Sequence, residues 1–212
     1  MNKQVTVYPA IIDSVITNPG IGFIAAPGLM GDIEKVYDNR GNEVGKYKFT
    51  EDGKTFNHPD SKVYFCSVRW NQIEHEKGFY DWRVLEDKLE YAKSLGCTAV
   101  VRCSPYALSE EEDIPRWFRR ECPDEPEFPF WRVDPNTTPY IEYWSNLVKE
   151  FAKHFDGNPI ISSIDMTIIG AWGEGGGTEF LKEEAIKSVT DAYSDGFKST
   201  PLQALVHDPL SL

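Results

Sequence analysis

Apolar positions along this chain switch between two spacings, and the switches mark its elements. Residues 62–70 (KVYFCSVRW) and 97–103 (CTAVVRC) are short apolar runs rich in β-branched and aromatic residues, which predicts two buried strands. Between them Val84, Leu85, Leu89, Ala92 and Leu95 recur at helical spacing, predicting a helix over 82–95. Asp81 is placed to cap it and Gly96 to stop it. Ile141, Trp144, Leu147, Val148, Phe151 and Ala152 repeat the pattern. This predicts a helix capped by Thr138, with Pro139 at its first position, running to Phe155 and ended by Asp156-Gly157. The run 158–169 (NPIISSIDMTII) predicts a buried strand, 178–197 a helix, and 202–206 (LQALV) a last strand.

Upstream the pattern is weaker. Residues 5–17 read as extended, with Pro9 interrupting, and Asn18-Pro19-Gly20 turns into a short strand. Residues 31–60 are polar, with Asn39-Arg40-Gly41-Asn42 and Asp52-Gly53 as turn signals, which predicts an inserted β-hairpin. Residues 104–138 form a long proline-rich connection with a short helical turn expected over 114–120. The order is then strand, insertion, strand, helix, strand, long loop, helix, strand, helix, strand. Alternating βα units of this kind predict an α/β fold: a partial (β/α)8 barrel holding about the first five strands, in one domain over 1–212 with the hairpin at 31–60. A small open α/β sheet is the alternative, and the absence of a glycine-rich phosphate loop after the first strand disfavours it.

Composition narrows the partners. A net charge of −12 argues against nucleic acid or an anionic membrane surface, and no run is apolar for long enough to span a bilayer. The first twenty residues lack the apolar core and cleavage site of a signal peptide, and the compartment stays unassigned. Cys66, Cys97, Cys103 and Cys122 form no CxxC pair and are expected as reduced thiols in apolar settings. His58, His75 and His154 are scattered, so neither a metal nor another cofactor is expected. The run Glu110-Glu111-Glu112-Asp113 reads as a solvated loop face. The open edge of a fifth strand would favour self-association and a poorly stable isolated chain.

The chemistry concentrates after the 158–169 run. There Trp172, Gly173 and Glu174 are followed by three further glycines. An aromatic face beside an acid suits a sugar ring, which needs a surface to stack on and a proton donor for its glycosidic oxygen. The plainer reading is a surface glutamate in a loose loop. Trp70, Trp117, Trp131 and Trp172 are candidate stacking platforms, whereas Trp82 and Trp144, on helices, are expected in the core. Arg69 is placed to steady a carboxylate or a sugar hydroxyl, or else to form an internal ion pair; for Arg102 the ion pair is favoured. Asp165 is expected as a satisfied polar group in the barrel interior, and His207 and Asp208 fall where substrate would be met.

Three passages together resemble a known group. Arg69-Trp70-Asn71-Gln72-Ile73-Glu74-His75-Glu76-Lys77-Gly78-Phe79-Tyr80-Asp81-Trp82 resembles the segment after strand two of β-galactosidase-like glycoside hydrolases, with His75 in place of proline. Ile114-Pro115-Arg116-Trp117 resembles their segment after strand three, and 164–174 (IDMTIIGAWGE) the end of strand four. Asn18-Pro19-Gly20-Ile21-Gly22-Phe23 fits the same group. The resemblance implies a retaining glycosidase of the large barrel clan acting on a β-linked oligo- or polysaccharide. It makes Glu174 the general acid/base and places the nucleophile beyond Leu212. Gly173 departs from the asparagine that the clan pattern carries there. A non-catalytic carbohydrate-binding barrel is the other reading.

Overall fold

The protein was analysed as a computed structural model. It describes strand backbones at 23–25, 33–37 and 43–48, and residues 61–107, 114–122 and 133–204. The extended run at 5–17, the acidic run 110–113, His58, Trp131, His207 and Asp208 lie outside the described residues.

Five strands form one parallel sheet: β1 (Phe23–Ala25), β4 (Ser61–Arg69), β5 (Thr98–Ser104), β6 (Ile161–Asp165) and β7 (Leu202–Gln203). They neighbour one another in that order. The insertion is a separate antiparallel hairpin of β2 (Ile33–Tyr37) and β3 (Glu43–Lys48). Sequential parallel strands joined through helices are the first turn of a (β/α)8 barrel. Helices α1 (Trp70–Ile73) and α2 (Arg83–Ser94) follow β4, and α3 (Arg116–Glu121) and α4 (Thr138–Phe155) follow β5. After β6 a 3-10 turn (Thr178–Phe180) leads into α5 (Glu183–Gly196).

Side chains alternate across the sheet. Tyr64, Cys66, Val68, Ala99, Val101 and Cys103 face the helices and join their core. The other face carries Arg102, whose guanidinium lies 5.1 Å over the Phe65 ring. All four cysteines are free thiols, three of them buried.

Several ends differ from the sequence expectation. Helix α2 starts from Trp82, not Asp81; the Asp81 carboxylate instead accepts from the Arg83 amide at 3.1 Å and pairs with its guanidinium. It stops as expected: Gly96 takes φ +69°, and the amides of Gly96 and Cys97 return to the carbonyls of Lys93 and Ala92. The residue before helix α4 is Thr137, one earlier than expected, with Pro139 in the first turn. Strand β6 is five residues long rather than the predicted run to 169. Beyond Asp165 the carbonyl of Thr167 accepts from Trp144 Nε1 at 3.0 Å, and that of Ile168 from the Tyr140 hydroxyl at 2.6 Å. Helix side chains thus take the acceptors that a longer ladder would have used.

Candidate active site

The carboxyl ends of β4, β5 and β6 bring Arg69, Ser104 and Asp165 to one rim of the sheet. Asp165 is the register partner of Arg102, two residues before the end of β5. Arg102 Nε and Nη2 donate to Asp165 Oδ2 at 2.8 and 2.6 Å. Both residues are buried, so the ion pair expected of Arg102 and the satisfied state expected of Asp165 are one arrangement. The third arm of the guanidinium leaves the sheet: Nη1 donates to the carbonyl of Trp172 at 3.3 Å.

That carbonyl belongs to the loop 170–177, which turns on positive φ angles at Gly170, Trp172, Gly173, Gly175 and Gly177. The Trp172 amide donates to Tyr106 O at 2.8 Å, tying this loop to the one after β5. At Gly173 an added Cβ would fall 2.7 Å from Thr167 Cγ2 and 3.0 Å from Arg102 Cδ, with φ at +73°. Any larger side chain there would force Thr167 or Arg102 to shift and would strain the backbone. The loop is closely packed at Gly170 and Gly173, whereas Gly176 faces open space.

Glu174 projects from this loop exposed to solvent, its amide donating to Ala171 O at 3.1 Å. Trp172, two residues before it, is 44% exposed. Arg69 is half-buried at the end of β4. The expected platforms Trp70 and Trp117 are a correction, for they are 0% and 3% exposed. Trp70 packs edge-on against Trp117, Tyr140 and Trp144 at 5.4–5.9 Å between ring centres. Their bulk serves the core, as it does in Trp82 and Trp144.

A buried carboxyl does stand after β4, at Glu74, which sequence reading passed over. The residue is 2% exposed, and its carboxyl accepts from Trp70 Nε1 at 2.7 Å and from the Gly78 amide at 2.8 Å. Burial outweighs these bonds and the nearby Lys77 charge and pushes the Glu74 carboxyl up to about 7. The signal was present: Trp70, Glu74 and Gly78 stand four residues apart. Among the described residues no group of side chains is arranged to hold a metal ion, and no helix is long and apolar enough to cross a membrane.

No family model matches the sequence, and no curated protein does. Solved structures do share its fold. One is endo-glycoceramidase II from Rhodococcus sp. in complex with a cellobiose-like isofagomine: TM-score 0.50, 15% identity, over 86% of this chain and 48% of that one. Another is a family 39 glycoside hydrolase from the gut symbiont Bacteroides cellulosilyticus WH2: TM-score 0.50, 16% identity, over 69% of this chain and 26% of that one. The chain spans less than half the length of either. At these identities the likeness establishes the fold, an α/β partial (β/α)8 barrel.

Proposed function

We propose that this chain supplies the acid/base half of a retaining glycosidase site for a β-linked saccharide, with Glu174 as the general acid/base. The observation that carries the reading is placement. An exposed carboxyl stands on a tightly folded loop at the carboxyl rim of parallel strands, where barrel enzymes carry their chemistry. Trp172 beside it offers a ring face for a sugar. Arg69 stands at the end of β4 as a candidate for a sugar hydroxyl or a second carboxylate. Retaining chemistry needs a second carboxyl about 5–5.5 Å from the first, which on this reading lies outside the described residues. The β-galactosidase-like affiliation rests on the motifs alone, with Trp131, His207 and Asp208 as further candidate contacts. A non-catalytic binding barrel is the weaker alternative, because burial removes Trp70 and Trp117 from any aromatic cleft.

The test is Glu174→Gln in the full-length protein, with p-nitrophenyl β-glycosides and β-linked polysaccharides as probes. Turnover should fall by about 10²–10⁴-fold with binding retained. Wild-type turnover in the variant would remove Glu174 from the role.

A further inference from the structure

We infer that Arg102, clamped by Asp165, is the positioning residue of the loop that carries Glu174. The inference rests on the glycosidase reading for its functional meaning, though not for its geometry. Arg102 is 9% exposed, and its side chain ties three parts of the site together. Its plane lies over Phe65 of β4 at 5.1 Å. Two of its nitrogens are committed to Asp165 of β6. The third reaches the Trp172 carbonyl, two residues before the candidate acid. Its Cδ also walls the space beside Gly173, the residue directly before Glu174.

The loop needs such an anchor. Trp172 holds φ +54°, a left-handed conformation that a non-glycine residue keeps only when its surroundings fix it, and its carbonyl is the one that Arg102 Nη1 holds. A guanidinium is suited to the task because it is planar, always charged and offers donors in fixed directions. With Nε and Nη2 on one carboxylate oxygen, the direction of Nη1 is set by the sheet. The position of the Trp172 carbonyl, and of the turn at 173–174, thus follows from the β5–β6 register.

The experiment compares Arg102→Lys, Arg102→Met and Asp165→Asn with wild type in the full-length protein. Amide hydrogen exchange is followed in 170–177 and, as internal reference, in the buried turns of α4. The loop amides should exchange at least about tenfold faster in Arg102→Met and Asp165→Asn, with α4 unchanged, and Arg102→Lys should lie between. On p-nitrophenyl β-glycosides the same variants should lower kcat with KM within about twofold, the signature of a misplaced catalytic group. Unchanged loop exchange, or acceleration of loop and α4 together, would overturn the inference, because the pair would then serve only general stability. Wild-type turnover in Glu174→Gln alongside loop-specific exchange would defeat the glycosidase reading and leave the positioning role standing.

Discussion

The indole N–H of Trp70 donates across 2.7 Å to Oε2 of Glu74, a carboxyl that solvent barely reaches. The bond joins the aromatic core to the turn after β4, because the other oxygen of Glu74 accepts from the Gly78 amide. Burial raises this group from 4.5 to about 7, so the folded chain holds a proton that the unfolded chain releases. The contribution to stability is fully present below the unfolded value near 4.5 and is lost as pH rises through about 7. The size expected is about 3 kcal/mol across that window. Urea midpoints measured from pH 4.5 to 8 should decline on this account. Glu74→Gln should flatten the decline while costing stability at the acid end, where the wild-type carboxyl is neutral, since an amide offers one acceptor to two donors. An equal slope in the variant would assign the proton elsewhere.

The two tryptophans that flank the site's sequence motifs should respond in opposite ways. Trp70 is fully buried among Trp117, Phe118, Tyr140 and Trp144. Trp70→Ala should cost about 3–5 kcal/mol. Trp172 is exposed and holds φ +54°, a conformation that glycine adopts without strain. Trp172→Gly should shift stability by no more than about 1 kcal/mol. It should nevertheless weaken binding of a β-linked oligosaccharide by roughly tenfold, the worth of one stacked ring. Thermal melts and calorimetric titration of both variants separate core from contact.

These residues also show what the sequence could convey. The strands at 61–69 and 98–104 and the helices at 83–94 and 138–155 follow from apolar periodicity, because one face of each must meet the core. Periodicity did not reveal where β6 stops, since the limit is set by Trp144 and Tyr140 from a helix folded over it. Nor did it separate the buried Trp70 and Trp117 from the exposed Trp172, because an indole is found in cores and on loops alike. The glycines of 170–177 announced a turn, but the tight packing of Gly173 against Arg102 and Thr167 depends on contacts distant in sequence.

Two glycines with similar backbone angles should differ on substitution for that reason. Gly96 has φ +69° and open space where a Cβ would go. Gly96→Ala should therefore cost only the backbone strain, about 1–2 kcal/mol. Gly173 has φ +73° and an occupied space, with Thr167 Cγ2 at 2.7 Å from the added carbon. Gly173→Ala adds an overpacking cost of about 1–3 kcal/mol to the same strain. Denaturant unfolding should rank Gly173→Ala as the more damaging, and only this variant should disturb exchange in the loop around Glu174. Equal costs would mean that the loop gives way without resistance.

At the opposite end of the sheet Asp156 governs how the chain enters β7. Its carboxylate accepts from the amides of Lys198, Ser199 and Thr200 at 2.8–3.1 Å, while the Thr200 hydroxyl accepts from the Gly157 amide. Burial would push the carboxyl up, but the amides of Thr200, Ser199 and Lys198 outweigh it and hold the group at about 2. Here the sign is the reverse of Glu74. The folded value lies below the unfolded one, so this stabilisation is present above about 4 and disappears as pH falls through about 2. Asp156→Ala should lower stability at neutral pH by about 1 kcal/mol, because water can serve the exposed amides of Lys198 and Ser199 and only the Thr200 amide is partly shielded. Asp156→Asn, which keeps one acceptor oxygen, should recover part of that loss and flatten the acid limb of the stability profile. Retention of the full acid limb in both variants would show that other carboxylates produce it and that the three amides find new acceptors.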